Sequence, residues 1–246
     1  MSNQANTYPY PRRRVIRWLM SRAARVALCL LSHFRIEGRH HLPAGGPLII
    51  VANHFHFLDV VTMVAVMPWP MEFLGGFRFF DAPGLVGWIP RLWGFYTVHR
   101  GGASMEAMRA AKAVLAQNGT LMVFPEGGSW ADVLVYARPG VPYLLAQTGA
   151  RVLPVGIDGN TELFPSLRRG RRGRITVRIG EPFGPISAPG RGRERRQQLD
   201  AIGDQIMQRI APLIPPERRG VYSADPALRA AAEAVAAYPW AEEEEA

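Results

Sequence analysis

Residues 51–59 spell V-A-N-H-F-H-F-L-D and end an apolar run that begins at Pro47. Such a run predicts a buried strand, and the polar residues Asn53, His54 and Asp59 then lie where the strand ends and a helix begins. In open α/β sheets, ligands bind at this edge. The stretch therefore predicts an α/β fold and the location of its site.

The spacing of His54 and Asp59 restricts how the two side chains meet. Residues five positions apart on one helix point roughly 140° apart, so contact requires His54 on the turn before a helix and Asp59 in its first turn. Asp59 would then hold the Nδ1 proton and leave Nε2 free to accept a proton from a substrate hydroxyl. A second interpretation stays open, in which Asp59 only interacts with the helix dipole and His54 is unrelated to it.

Beyond this stretch, short apolar strands alternate with helical stretches. The alternation predicts an α/β fold with a central, mostly parallel mixed sheet of about seven strands flanked by helices, preceded by an N-terminal basic amphipathic helix. We expect an N-terminal tail and helix over 1–36, a catalytic domain over 37–215 and an extension with an acidic tail over 216–246. The predicted strands are 34–37, 48–52, 71–74, 95–98, 120–124, 152–157 and 175–179.

The charge of the chain is strongly positive and unevenly distributed. The 246 residues carry a formal charge of +9, with no acidic residue before Glu37 and five arginines in the stretch 168–174. Such clusters indicate an anionic partner, either a phospholipid surface or a nucleic acid. The single cysteine, Cys29, excludes an internal disulfide and is typical of a cytosolic setting.

The helix predicted over 12–32 combines a basic arc with an apolar one. Its arginines argue against a transmembrane span, which needs about 20 mainly apolar residues, and no small-residue cleavage site marks a signal peptide. We expect this helix to lie in a membrane interface; the alternative is an ordinary helix packed on the domain. The residues predicted to contact the membrane are Arg14, Arg17, Trp18, Arg22 and Arg25.

Three later segments supply further candidate site residues. The strand predicted within 94–100 ends in Arg100 beside two glycines, and an arginine fork where backbone can approach a ligand suits a phosphate. The stretch 123–130, V-F-P-E-G-G-S-W, predicts a turn whose backbone N–H groups bind an anion. The apolar segment 152–157, V-L-P-V-G-I, is typical of any buried strand.

In this order, the four segments resemble the motifs of the glycerolipid acyltransferase family, which includes bacterial 1-acylglycerol-3-phosphate acyltransferase. N-H-F-H-F-L-D resembles its first motif, N-H-x4-D, and implies that His54 and Asp59 are catalytic. F-P-E-G resembles its third motif, with Gly128, Ser129 and Trp130 standing where Thr, Arg and Ser are common. The residues that the resemblance implies for substrate binding are Asn53, Arg100, Phe124, Pro125, Glu126, Gly127, Gly128, Ser129 and Pro154.

The resemblance also implies a reaction and its partners. A fatty acyl group would pass from acyl-CoA or acyl-carrier protein to the free hydroxyl of a lysophospholipid, 1-acylglycerol-3-phosphate, forming phosphatidic acid in phospholipid synthesis. His54 would deprotonate that hydroxyl, Arg100 would hold the acceptor phosphate, and Glu126 would orient the acceptor hydroxyls or the phosphate-binding arginines. The enzyme would dock on anionic lipids at the cytoplasmic face of the cell membrane, and no cofactor, metal or nucleic acid is expected.

Two alternative functions remain open. The departure at 128–130 favours the same chemistry on another lysolipid or a glycolipid, and the arginine clusters favour a non-catalytic lipid- or nucleic-acid-binding protein. The arginines of 168–174 would form a second lipid contact, a site for the donor's phosphates or a solvated loop.

Three other chemistries conflict with the residues present. A hydrolase of the order Ser, acid, His is excluded because all six histidines precede Ser129. A zinc loop of the pattern H-x-H-x-D-H lacks its Asp at Leu58 and its last His at Asp59. Cys29 lies in the predicted N-terminal helix without a nearby base, which argues against a thiol nucleophile.

Overall fold

A mixed sheet forms the centre of the protein. The computed structural model describes residues 8–75, 92–97 and 105–239. The strands of the described chain are β1 Ser32–Glu37, β2 Leu48–Ala52, β3 Met71–Gly75, β4 Tyr96–Thr97, β5 Thr120–Val123, β6 Arg151–Asp158 and β7 Gly173–Ile179. They pair in the order β1-β7-β6-β2-β5-β3-β4, and only the β6–β7 pair is antiparallel. Since β4 has two residues, the sheet consists of six strands and one short edge strand.

Helices cover both faces of this sheet. They are α1 Arg14–Leu31, α2 Leu58–Val66, α3 Met105–Ala116, α4 Gly140–Thr148, α5 Leu163–Arg168, α6 Gly192–Ile210 and α7 Pro226–Ala236, with short 3-10 turns at Arg39–His41, Ala211–Leu213, Pro216–Arg218 and Gly220–Tyr222.

The strand β2 explains why the fold is layered in this way, because all of its residues are buried. Ile49 and Val51 join the core that contains residues of α3, α4 and α6, whereas Leu48, Ile50 and Ala52 join the core that contains residues of α2. A parallel strand covered by helices on both faces has no polar side, so its sequence is continuously apolar. Each fully buried Leu, Ile or Val side chain stabilises the fold by about 1.5–3 kcal/mol.

The strand directions bring the functional segments to one edge of the sheet. β6, β2, β5 and β3 run parallel, so their carboxyl ends lie together. Because β7 is antiparallel to β6, the start of β7 lies at the same edge, where Gly173 pairs with Ser32 at the start of β1. The predicted α/β fold with a mostly parallel mixed sheet of about seven strands is therefore confirmed.

The helix α1 contacts the domain through one face. Leu28 is buried on this face, and Met20 and Ala24 pack against the core that includes α2. Among the described residues, none of the helices has the length and apolar character needed to cross a bilayer. The apolar side chains of α1 that remain exposed are Val15, Ile16, Trp18, Leu19, Val26, Leu30 and Leu31.

The burial of Arg17 contradicts one of the predicted membrane contacts, because its side chain is only 2% exposed. Its guanidinium donates to both carboxylate oxygens of Glu72 on β3, at 2.7 and 2.8 Å, and to the Trp93 carbonyl at 3.0 Å. Arg12 donates to the same carboxylate. The prediction that Arg17 contacts a membrane is therefore wrong: a buried carboxylate far along the chain binds the guanidinium and holds α1 against the sheet.

Candidate active site

The turn between β2 and α2 carries His54, and Asp59 follows in the first turn of α2. Nδ1 of the imidazole is 3.2 Å from Oδ2 of Asp59. The same oxygen accepts the backbone N–H groups of Phe55 and His56, at 2.7 and 2.8 Å. One carboxylate therefore closes the turn and holds the imidazole, and the contact predicted between the two side chains is present.

The hydrogen bonds of Asp59 indicate which imidazole nitrogen carries the proton. Besides the two backbone N–H groups, the carboxylate accepts Nδ2 of Asn160 at 2.7 Å. Because the carboxylate is an acceptor toward each of these donors, we assign the shared proton to Nδ1 of His54. Nε2 then keeps its lone pair and is the nitrogen that can accept a proton from a substrate.

Asn160 is a site residue that the sequence analysis did not identify. It lies just after β6, 3% exposed, and its amide also donates to Oγ1 of Thr62 at 3.0 Å. The hydrogen bond to Asp59 joins residues that are 101 positions apart. The sequence feature that could have identified Asn160 is its position, because it is a polar residue at the carboxyl end of the strand next to β2.

Phe124 and Glu126, which follow β5, also contact His54. The ring of Phe124 stacks on the imidazole, with centroids 4.0 Å apart and planes inclined by 17°. Oε2 of Glu126 accepts the backbone N–H of His54 at 2.7 Å. Glu126 therefore fixes the backbone of the residue that carries the imidazole, whereas the sequence predicted that it orients groups of the acceptor.

The carboxyl of Glu126 is buried and incompletely hydrogen-bonded. Burial raises its pKa well above the ordinary value, and the nearby Asp59 raises it further, whereas the backbone N–H of His54 lowers it. The Val135 backbone N–H also lowers this pKa, but Oε1 has no partner of hydrogen-bonding geometry among the described residues. A protonated Glu126 keeps Oε2 as the acceptor for His54 and carries its proton on Oε1.

His56 occupies a different environment from His54. Its Nδ1 accepts the backbone N–H of Leu58 at 3.3 Å, at the start of α2. Burial lowers the pKa of His56, Asp59 raises it and His54 lowers it, so a neutral ring is favoured. The two histidines therefore have separate roles, and no three or more His, Cys, Asp or Glu side chains of the described chain converge to hold a metal.

Asn53 and Pro154 lie in the interior of the sheet. The Asn53 amide accepts the N–H of Ile157 at 2.7 Å and donates to its carbonyl at 2.8 Å, which ties the ends of β2 and β6 together. Pro154 is buried within β6, opposite Val51. These positions correct the predicted substrate contacts of both residues: Asn53 positions the turn that carries His54, and Pro154 packs in the sheet.

The turn after β5 contacts the C-terminal part of the chain. Gly127 has φ +81°, and a Cβ atom there would lie 3.1 Å from Cγ of Arg138, so the position favours glycine. Nε1 of Trp130 donates to the Val235 carbonyl at 3.0 Å, and its ring meets Tyr238 edge-on with centroids 5.3 Å apart. The segment that includes α7 therefore covers this side of the turn.

The other predicted site residues lie in the turn after β5 or outside the described residues. Pro125 is buried, Gly128 is half-buried and Ser129 is exposed along the same turn. Arg100 lies outside the described residues, so its contact with a phosphate stays a prediction.

The fold and the site together define an α/β protein in which a histidine–aspartate pair lies at the carboxyl edge of a mostly parallel sheet, with one imidazole nitrogen available to accept a proton. The model of the Acyltransferase family matches residues 33–158, about half of the chain. The chain belongs to the Acyltransferase family.

Individual relatives are similar over most of this chain. A 1-acyl-sn-glycerol-3-phosphate acyltransferase of Chlamydomonas reinhardtii is 26% identical over 191 residues, which cover 75% of this chain and 54% of the relative. A chloroplastic protein of the same name from Arabidopsis thaliana is 24% identical, over 71% of this chain and 50% of the relative. The chain thus spans about half the length of these two relatives.

This chain covers a larger share of a bacterial relative and of a solved structure than of the two relatives above. The 1-acyl-sn-glycerol-3-phosphate acyltransferase of Bacillus subtilis is 23% identical over 196 residues, 78% of this chain and 93% of the relative. The crystal structure of the 1-acyl-sn-glycerophosphate acyltransferase PlsC from Thermotoga maritima matches with a TM-score of 0.56 and 22% identity, covering 82% of this chain and 85% of that one. The structural match shows a shared fold.

Proposed function

We propose that this protein transfers a fatty acyl group from a thioester, either acyl-CoA or acyl-carrier protein, to the free hydroxyl of 1-acylglycerol-3-phosphate, giving phosphatidic acid. The observation that carries the proposal is the 3.2 Å contact between His54 and Asp59, which leaves Nε2 of the imidazole as a proton acceptor. Membership of the Acyltransferase family and the names of the similar proteins support the same reaction.

The reaction requires a positioned base and no covalent enzyme intermediate, because the thioester is already activated. Nε2 of His54 accepts the hydroxyl proton while the oxygen attacks the thioester carbonyl. The tetrahedral intermediate collapses, the C–S bond breaks, and the leaving thiolate takes the proton from Nε2. A positioned base contributes about 10²- to 10⁴-fold to the rate. Asp59 keeps the other proton on Nδ1 and stabilises the imidazolium that forms.

The groups around His54 hold this geometry. Stacking on Phe124 fixes the plane of the imidazole, and the Glu126 carboxyl fixes the backbone at His54. The turn at 127–129 follows directly after these contacts. We assign stabilisation of the oxyanion to the backbone N–H groups of Gly128 and Ser129, because the N–H of Gly127 donates to the Phe124 carbonyl and donors fixed before the reaction need no reorganisation as charge develops.

A different lysolipid acceptor is the second candidate substrate, and Trp130 favours it. In the family pattern a serine is common at this position and an arginine precedes it, whereas here Ser129 precedes a tryptophan that binds the C-terminal segment. One cation is therefore missing from the side where the acceptor phosphate is expected. An acceptor with a smaller negative charge would tolerate that loss.

Docking on a bilayer follows from the acyl chains of the substrates. Extracting a C16 chain into water costs on the order of 12 kcal/mol, so an enzyme that takes its acceptor from the membrane avoids that cost at each turnover. The outward face of α1 suits this role, because its apolar side chains fall within an arc of roughly 60°. These side chains are Val15, Leu19, Val26 and Leu30, which are 71%, 54%, 58% and 69% exposed.

Basic and aromatic residues border this apolar face. Arg14, Trp18 and Arg22 are exposed beside it, and Arg25 is half-buried. Guanidinium groups next to an inserted apolar face attract anionic lipid headgroups, and an indole ring suits the interface. We therefore keep these four residues in the proposed membrane contact.

The proposed function is tested by incubating the purified protein with radiolabelled palmitoyl-CoA and a panel of lysolipids in vesicles. We expect label to enter phosphatidic acid when 1-acylglycerol-3-phosphate is present. Label in another diacyl lipid would assign the alternative acceptor. Absence of label from every lipid, also with palmitoyl-acyl-carrier protein as donor, would contradict acyl transfer.

A further inference from the structure

A cleft rich in arginine opens beside the site, on the side of β6 and β7. Its volume is about 810 Å³, which is in the range of small-molecule sites. The proposed mechanism assigns no role to its basic residues. We name it the arginine cleft, and its basic lining consists of His33, Arg169, Arg171, Arg172, Arg174 and Arg218.

The arginine cleft lies on the Asp59 side of the catalytic pair. A narrower recess, lined by Phe55, Asp59 and Asn160, shares Asp158 and Arg218 with the cleft. In the strand order, β6 lies on one side of β2 and β5 lies on the other. The cleft therefore approaches His54 from the side opposite to the turn after β5, where the acceptor is proposed to bind.

The charges of the arginine cleft are only partly neutralised by the protein. Arg169 lies 3.9 Å from the Glu162 carboxylate, and Arg218 pairs with Asp132. Arg172 donates to backbone carbonyls at the end of α1, which hold its guanidinium in place without cancelling its charge.

Arg171 and Arg174 add two further positive charges to that of Arg172. Both are exposed, and neither forms an ion pair with any carboxylate in the part of the chain that the structure describes. Clustered guanidinium groups without carboxylate partners attract a polyanion. A ligand with several phosphate groups fits this arrangement, because guanidinium forks match phosphate oxygens.

We propose that the arginine cleft binds the 3′-phosphate and diphosphate groups of an acyl-CoA donor. This inference rests on the proposed function and assigns its donor site. A CoA thioester carries its phosphates at one end and its reactive carbon at the other, joined by a long flexible arm. With the phosphates in the arginine cleft, the arm extends over the surface toward His54, and donor and acceptor meet at His54 from opposite sides.

The double variant Arg171→Ala/Arg174→Ala tests the site through steady-state kinetics with palmitoyl-CoA. We expect the KM for the donor to rise by about tenfold or more, with kcat and the KM for the acceptor changed by less than about twofold. The matched control is Arg193→Ala/Arg196→Ala, which removes two exposed arginines from α6 and should change none of these constants. An unchanged donor KM in the cleft variant would overturn the proposal.

A binding measurement makes the test independent of turnover. Adenosine 3′,5′-bisphosphate, titrated calorimetrically, should bind the unaltered protein and the α6 control and bind the cleft variant at least about tenfold more weakly. Equal binding to all three proteins, or binding to none, would overturn the proposal even if the protein transfers acyl groups. Selective binding without any acyl transfer would instead contradict the proposed function and leave the cleft as a nucleotide-phosphate site.

Two further measurements distinguish acyl-CoA from other ligands that carry phosphate, namely acyl-carrier protein and lipid headgroups. If the cleft variant lost activity with palmitoyl-acyl-carrier protein but kept its KM for palmitoyl-CoA, the ligand would be the carrier protein and the proposal would be wrong. If it sedimented less with phosphatidylglycerol vesicles but bound adenosine 3′,5′-bisphosphate as the control does, lipid headgroups would be the ligand. We expect vesicle binding to be unchanged.

Discussion

Two buried polar networks of this protein differ in whether any of their atoms remains available for a reaction. Under α1, the Glu72 carboxylate binds Arg12 and Arg17, and Arg17 also binds backbone carbonyls, so the charged groups are paired with one another. At the carboxyl edge of the sheet, Asp59 is equally well bound, yet Nε2 of His54 takes no part in these hydrogen bonds. The first network stabilises the fold, whereas the second also presents a nitrogen that can accept a proton.

The comparison predicts that breaking the network under α1 has the largest effect on stability. Glu72→Ala leaves the buried Arg17 guanidinium without its counter-charge, so we expect the free energy of unfolding to fall by about 3–5 kcal/mol. Urea unfolding measures this change. The paired variant Glu72→Met/Arg17→Met should lose much less, because the deeply buried guanidinium is removed with its carboxylate and the remaining Arg12 side chain is 23% exposed. Equal losses of stability in the two variants would show that a buried unpaired charge is not the cause.

In the site network, removing Asn160 should affect both stability and turnover. Asn160→Ala leaves Oδ1 of Asp59 without its donor, so we expect a loss of about 1–3 kcal/mol in the free energy of unfolding and a lower kcat. Thr62→Val removes only the hydroxyl on the far side of Asn160 and should cost less in both measurements. A normal kcat for Asn160→Ala would show that the orientation of Asp59 does not limit catalysis.

Burial of the Glu126 carboxyl gives the site network a pH dependence. Its pKa is raised in the folded protein, so its contribution to stability is complete below the unfolded value near 4.5 and is lost as the pH rises through the raised pKa. Glu126→Gln keeps an oxygen to accept the His54 N–H and has no charge to bury. We expect the variant to gain stability relative to the unaltered protein as the pH rises, in unfolding curves recorded from pH 4 to pH 8. Parallel pH profiles would contradict a buried, titrating Glu126.

The smallest effect is expected on the outer side of α1, away from both networks. Val26→Ser should weaken binding to anionic vesicles by about fivefold, as removal of one partly inserted apolar side chain costs about 1 kcal/mol, without changing the free energy of unfolding. Val235→Ser on α7 is the matched control, since Val235 is also exposed. Equal vesicle binding by the two variants would show that α1 is not the docking surface.

The same comparison shows what the sequence could predict. His54 and Asp59 are close in the chain, and the end of an apolar strand fixed their geometry, so both the contact and its place at the sheet edge followed from local rules. The mostly parallel sheet followed from the alternation of short apolar strands with helical stretches. These features depend on short-range pattern alone.

The features that were missed depend on contacts between distant parts of the chain. Asn160 reaches Asp59 across 101 positions, and Arg17 reaches Glu72 across 55. A helical wheel shows the direction of the Arg17 side chain but not the carboxylate that packs there. For the same reason, Glu126 was assigned to the acceptor, whereas its hydrogen bond holds the His54 backbone.

The most direct test of the central claim compares the two histidines of the same turn. His54→Ala removes the proposed base, whereas His56→Asn retains an oxygen that can accept the Leu58 N–H and leaves the base in place. In acyl transfer from palmitoyl-CoA to 1-acylglycerol-3-phosphate, we expect kcat to fall by about 10²- to 10⁴-fold for His54→Ala and by less than about threefold for His56→Asn. Turnover by His54→Ala at the rate of the unaltered protein would contradict the account.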